Sequence, residues 1–283
     1  MDSRKPSSLD YSSYLHILAL QRFRDSILKD DLRRAEAAAE NVAASPEPFW
    51  KWVGSMDLAT IHLYRGQSRR ALRVLEEAAL VYGRRGAFTA LGHVTASHVL
   101  IERGENAAAL ERAREARRSD PASPEAAWFA AVASARLGTF ESAEALSREL
   151  SEAQPWRREH VRGEILLAQR DPHSAALAFK SAATLLASQD VASTKGLSGY
   201  VPVWFSLGTA QLASHEDDAR TSFLRVADAR ELRIDWPILY VRSLHALAMI
   251  HERRGETDAA NEYRTRWNAL WTKADLRVSV EPI

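Results

Sequence analysis

The sequence predicts an all-α protein, a right-handed superhelical solenoid of about seven helix–turn–helix repeats. Between Ala90 and Pro155 the same pattern occurs twice. Gly104-Glu-Asn-Ala-Ala-Ala109 aligns with Gly138-Thr-Phe-Glu-Ser-Ala143, and Asp120-Pro121 with Gln154-Pro155, each 34 positions on. Each copy reads as an apolar helix, a Gly turn, an Ala-rich helix and then Pro. Self-similarity of that kind marks a repeat architecture, because a single helical hairpin cannot bury its apolar face alone. The rest of the 283 residues can be read in the same phase.

Ser13 to Leu28 carries Tyr14, Leu15, Leu18, Phe23, Ile27 and Leu28 at helical spacing. Asp30-Asp31 makes the turn in place of Gly, and Leu32 to Ala44 is a second, Ala-rich helix closed by Ser45-Pro46-Glu47-Pro48. Repeat two runs from Phe49 to Arg65, turns at Gly66 and returns from Ser68 to Tyr82. Gly83 to Gly86 precede repeats three and four, the pair described above. Repeat five turns at Asp171-Pro172 and has its second helix over Ser174 to Ala187. Residues 188–201, rich in Ser and Gly, read as a long inter-repeat loop. The phase resumes at Trp204-x-x-Leu207-Gly208 and Ala219-x-x-x-Phe223, and ends with Leu247-Ala248, Gly255-Glu256 and Ala260. The expected organisation is a polar tail at 1–12, repeats one to five over 13–187, the loop at 188–201, repeats six and seven over 202–272, and a tail at 273–283. In that tail Leu276, Val278 and Val280 alternate with polar residues. That pattern suits an extended docking strand, or a segment folded back as a cap.

Small residues recur where two helices must approach closely: Ser97, Ala131, Gly208 and Ala248 on first helices, Ala71, Ala109, Ala143 and Ala260 on second helices. Together with the W-x2-L-G … A-x3-F core of repeat six, they make the chain resemble the tetratricopeptide repeat (TPR) family. Gln211 stands where that motif usually has Tyr. The resemblance implies a non-catalytic scaffold or adaptor whose first helices line a concave groove for a protein or peptide. Phasing on the turn residues assigns groove-facing positions to Met56, Thr60 and Leu63, then Val94, Thr95 and His98, then Trp128, Phe129 and Val132. Further along they are Arg158, Arg162 and Ile165, Phe205 and Thr209, and Arg242, His245 and Met249. The Lys and Asn with which one subclass clamps a C-terminal carboxylate are missing from these positions. The expected ligand is therefore a peptide with apolar anchors and an acidic flank. Packing between adjacent repeats is an equal alternative for the large apolar positions.

The stretch from Tyr240-Val-Arg-Ser-Leu244 through Arg254-Gly255-Glu256 to Tyr263, Trp267, Trp271 and Ala274-Asp275 resembles the end of TPR tails on bacterial kinases and transcriptional regulators. That resemblance implies a regulatory or self-association module. Trp267 and Trp271 would then form a homodimer interface at the uncovered end. An accessory substrate-binding protein using the 188–201 loop is a third reading.

The remaining chemistry is mostly excluded. With 38 basic and 37 acidic residues, the net charge of +1 gives no footprint for nucleic acid. Arg112 to Arg118 are interleaved with Glu111 and Glu115, as on a solvated face. There are no cysteines, so no disulfide, thiolate ligand or thiol nucleophile. No phosphate-binding Gly-rich motif occurs, and Gly196-Leu-Ser198-Gly199 falls one residue short of a nucleophile elbow. The nine histidines include no His-x-x-x-His pair; His93 and His98, like His245 and His251, lie on different helix faces. No metal, cofactor or enzymatic activity is expected. With neither a signal-like start nor a long apolar run, the expected compartment is the cytoplasm.

Overall fold

A computed structural model of the chain describes residues 8–81, 86–150, 152, 154–188, 199–215, 218–271 and 273–276, with side chains from Tyr14 onward. The helices pair as α1 (Ser8–Leu28) with α2 (Leu32–Ala43), α3 (Pro48–Tyr64) with α4 (Ser68–Val81), and α5 (Ala87–Glu102) with α6 (Asn106–Ser119). They continue as α7 (Pro124–Arg136) with α8 (Phe140–Arg148), and α9 (Trp156–Ala168) with α10 (Pro172–Ala187). The last two pairs are α11 (Tyr200–Ala213) with α12 (Ala219–Ala227), and α13 (Pro237–Arg253) with α14 (Thr257–Leu270). A 3-10 turn, Arg230–Arg233, sits before α13. Each helix packs on the next, and no strand occurs among the described residues. The all-α solenoid of helical hairpins is therefore observed. The first helix starts at Ser8 rather than Ser13, and Tyr200 and Val201 belong to α11. Most of the expected loop (189–198) and the alternating part of the tail (277–283) lie outside the described residues.

One backbone feature sets the phase of all seven hairpins. Every turn has a residue in the left-handed region: Asp30, Gly66, Gly104, Gly138, Arg170, His215 and Gly255, with φ between 56° and 77°. In the six turns where the following residue is described, its amide folds back onto a carbonyl in the last turn of the first helix, as Gln67 does to His62 O (2.8 Å) and Glu105 to Leu100 O (2.9 Å). These are Schellman closures that satisfy the orphan carbonyls of a helix end. Seven positions before each left-handed residue stands Phe23, Ala59, Ser97, Ala131, Gly163, Gly208 or Ala248, small in every repeat but the first. Five positions after it stands Ala35, Ala71, Ala109, Ala143, Ala175 or Ala260, all with at most 2% exposure. Only in repeat six is that Ala one position early, at Ala219. Small residues on both helices let their axes approach closely, which is why the pattern survives where the Gly does not. The spacing itself is looser than the sequence suggests. The interval of 34 between Gly104 and Gly138 becomes 45 between Arg170 and His215.

The array does not end in an open groove. Helix α13 packs on α3 and α11 as well as on its own partner α14, and the 3-10 turn lies against α1. Tyr240 on α13 meets Tyr64 on α3 with ring centroids 5.8 Å apart, and the Tyr64 hydroxyl donates to Arg233 O at 3.2 Å. Arg233, 4% exposed, donates to Ile27 O (3.1 Å), Leu28 O (3.0 Å) and the Asp30 carboxylate (3.2 Å). Asp30 also accepts from Tyr240, whose oxygen accepts from Arg266 at 2.9 Å. The last repeat is thus clamped to the first two.

Candidate functional site

The closure brings five first helices around one buried polar cluster. Trp236 has no exposed surface and lies against His98 (4.8 Å), Trp128 (6.1 Å) and Phe129 (6.1 Å). It fills the space that the sequence assigns to a ligand. Beneath it, a chain of hydrogen bonds passes from helix to helix. Trp128 Nε1 on α7 donates to His160 Nδ1 on α9 (3.2 Å), which leaves Nε2 as the protonated nitrogen of a neutral ring facing Ser206 Oγ on α11 (3.2 Å). Ser206 donates to Glu164 Oε1 (3.0 Å), and Arg136 Nε donates to Glu164 Oε2 (2.8 Å). Arg136 also faces Glu102 on α5 (3.8 Å). Glu102 in turn pairs with Arg242 on α13 and accepts a second bond from it at its backbone carbonyl (2.8 Å). The cluster borders a small, partly open cleft of about 30 Å³, too small for a peptide.

Electrostatically the cluster is balanced, with two carboxylates and two guanidiniums. Burial opposes charge on Glu164, yet the Arg136 guanidinium and the hydrogen bonds from Arg136 and Ser206 hold its carboxyl below the usual range. Arg136 is held protonated despite burial by Glu164 and Glu102. The histidines go the other way. Burial pushes both His98 and His160 down to about 4, outweighing the pull of Glu102 and Glu164 respectively. Both rings are neutral at pH 7. Between pH 6.5 and 4 the unfolded chain binds protons that the folded chain refuses. Their contribution to stability is therefore whole above pH 6.5 and is lost as pH falls toward 4. At pH 5 this amounts to roughly 2 kcal/mol per ring. Asp57, pushed up to about 7 by burial, acts in the opposite direction. Comparing the parent with His98→Phe isolates the imidazole, because that ring packs between Phe129 and Trp236 and its Nε2 has no hydrogen-bond partner. Thermal melts at pH 7.5 and pH 5 should show a smaller acid-induced fall in melting temperature for His98→Phe than for the parent.

The groove positions fall into three groups. Trp128, Phe129, His98, Phe205 and Thr209 are buried, between 1% and 7% exposed, and covered by the chain's own segments; Arg242 is spent on Glu102. Met56, Thr60, His245 and Met249 are half-buried, with the His245 ring 4.7 Å from Trp267. These positions therefore do not share one open groove, because α13 and Trp236 occupy its middle. Of the expected end interface, Trp271 is 8% exposed and sits on the Gly66 turn of the same chain, while Trp267 is half-buried. Arg158, Arg162 and Ile165 remain beside an open space. It is a groove of about 460 Å³ between α8 and α9, lined by Glu144, Ser147, Arg148, Arg158, Glu159, Arg162, Ile165, Leu166 and Gln169. Arg158 is pinned by the Leu150 carbonyl (2.6 Å), whereas Arg162 is exposed and only loosely paired with Glu159 (3.6 Å).

Sequence reasoning missed Glu102, Arg136, Glu164 and Ser206. A signal was present: His98-Val-Leu-Ile-Glu102 and His160-Val-Arg-Gly-Glu164 place the same pair one helical turn apart on two first helices. No group of three or more His, Cys, Asp or Glu among the described residues is arranged to hold a metal ion.

No family model and no curated protein matches the sequence. Solved structures do match. The Rap protein complexed with Competence and Sporulation Factor is 13% identical, covering 95% of this chain and 88% of its own, with a TM-score of 0.50. The shared fold is an all-α solenoid of helical hairpins, the architecture that the tetratricopeptide resemblance implies. A tetratricopeptide repeat protein from Parabacteroides merdae is 14% identical over 91% of this chain and 93% of its own, with a TM-score of 0.46. The C-terminal part of a TPR-containing protein from Cytophaga hutchinsonii is 10% identical over 92% and 96%, with a TM-score of 0.41. In this TPR solenoid no described helix is long and apolar enough to cross a membrane.

Proposed function

We propose that this TPR solenoid is a non-catalytic scaffold that holds a segment of a protein partner in the groove between α8 and α9. One observation carries the reading. Once α13 and Trp236 have closed the concave face, Arg158, Arg162 and Ile165 are the groove-facing residues left beside an open space large enough for several side chains. Ile165 and Leu166 give that space an apolar floor, and Arg148, Arg158 and Arg162 outnumber Glu144 and Glu159 on its walls. Such a lining suits an apolar anchor with an acidic flank. The buried cluster supports a binding rather than a catalytic role, since its carboxylates face guanidiniums and its cleft admits no substrate of ordinary size. The Rap neighbour, which holds a bound factor, supports the same class of work.

Arg148 and Arg162 are exposed, so reversing both should leave the fold intact. A partner captured by the parent chain should bind Arg148→Glu/Arg162→Glu at least about tenfold more weakly, near 1.4 kcal/mol. Equal capture, with unchanged circular dichroism, would remove the groove from consideration.

A further inference from the structure

The turn formed by Trp271, Ala274, Asp275 and Leu276 leaves α14 of the last repeat and lands on the second and third. Helix α4 begins at Ser68 after Gln67, and its N-terminus is capped by a carboxylate 207 positions away. Ser68 N donates to Asp275 Oδ1 at 2.8 Å and Arg69 N to Oδ2 at 3.1 Å; the buried Ser68 hydroxyl donates to Oδ1 as well. Arg103, at the end of α5, adds its guanidinium 3.6 Å from the same oxygen. Asp275 N and Leu276 N both donate to Gly66 O, at 2.9 and 3.3 Å. The apolar half of the contact lies over Gly66 itself. A Cβ there would stand 2.6 Å from the Ala274 methyl and 3.1 Å from the Trp271 ring, so only a bare backbone fits beneath them.

We propose that this turn is a releasable strap. The surface beneath it is a docking site for an acidic segment of a partner protein that repeats its pattern, an aromatic residue followed four positions later by Asp. The strap is a compact recognition unit of one carboxylate, one aromatic ring and two backbone bonds. Lys273, Ala274 and Asp275 present exposed outer sides, so no described residue lies over it that must first move. A tethered occupant competes with an effective concentration in the millimolar range, and a partner with a few further contacts exceeds that readily. Release uncovers the α4 amides, Ser68 and Arg103, a positive cradle that a carboxylate satisfies in the closed form. The site is separate from the α8–α9 groove and does not depend on it.

Two measurements on the full chain test this. In the parent, amides of Ser68 and Arg69 should exchange with deuterium through an opening that leaves the α4 interior at Leu75 protected. Exchange of all three only at the rate of global unfolding would overturn the proposal. Second, a labelled peptide with the sequence of residues 270–277 should bind the Asp275→Lys chain at least about tenfold more tightly than the parent, and lose binding when its own Asp is changed to Asn. Equal binding to both chains, no binding, or binding by the Asn peptide would each overturn it. So would dimerisation of the parent through exchanged straps, which would assign the site to a second copy. If Asp275→Lys does not fold, the exchange rates in the parent decide alone.

Discussion

Glu164→Ala is expected to destabilise the fold by about 3–5 kcal/mol, the usual cost of removing one partner from a buried ion pair. Glu164 is 2% exposed and accepts from Arg136 and Ser206. Its loss leaves Arg136 with only the longer contact to Glu102 (3.8 Å) and strips Ser206 of its acceptor. The cost comes from the group left behind and not from the intrinsic strength of the pair. Replacing Arg136 and Glu164 together with leucine should therefore recover much of the loss. Urea titration distinguishes the cases, since the midpoint moves while the slope stays constant if the fold is retained. Arg136 is 22% exposed at its side chain, and a shift below about 1 kcal/mol in the single variant would show that water there is enough to solvate the unpaired guanidinium.

Gly54→Ala should cost about 3 kcal/mol, at the upper end of overpacking effects, although the same change in a helix ordinarily helps. An added methyl on Gly54 would stand 2.2 Å from Ala43 N, 2.6 Å from Ala43 Cα and 2.7 Å from Val42 C. All three are backbone atoms, so no side chain can rotate away and α2 and α3 must separate. Gly92, on α5, is the internal control. A methyl there meets only ordinary contacts at 3.8 and 3.9 Å, and Gly92→Ala should be neutral or stabilising by roughly 0.4–1 kcal/mol. Opposite signs in thermal melts of the two variants are the expected result. Equal signs would mean that α2 and α3 yield more easily than their spacing implies.

The hairpins were legible because what specifies them is local. A left-handed turn residue, a small residue seven positions before it and an alanine five after it all lie within about a dozen positions. The turns at Arg170 and His215 were harder, since arginine does not mark a positive φ and histidine does so far less than glycine; at Asp171 the legible part was the side-chain cap on Ser174 N (3.0 Å). The closure was not legible, because it joins residues far apart in the chain. Glu102 meets Arg242 across 140 positions and Ser68 meets Asp275 across 207. Those encounters depend on curvature summed over several repeats, which no local pattern encodes. A warning was nevertheless present in α7, where Ala126 to Ala135 is an unbroken run of alanines, Trp128, Phe129, Val132 and one serine, buried throughout. A helix apolar on all sides is covered on all sides, so an open groove beside it was improbable from the outset. Phase alone placed Trp128 and Phe129 toward the axis of the array. What occupied that axis came from Trp236, in a connector that carries no repeat signal.

The clamp between the seventh repeat and the first two also changes how the protein loses its structure and how its gene can change. An open array melts from its ends and can be lengthened by copying a unit, because each unit answers only to its neighbours. Here the terminal units protect one another through Arg233, Tyr240 and Asp30. Fraying at one end is therefore coupled to fraying at the other, and the melt should approach a single cooperative step. Duplication of the fifth or sixth repeat would carry α13 away from α3 and leave Trp236 without Trp128 and Phe129. The contacts fix how many repeats can stand between α3 and α13.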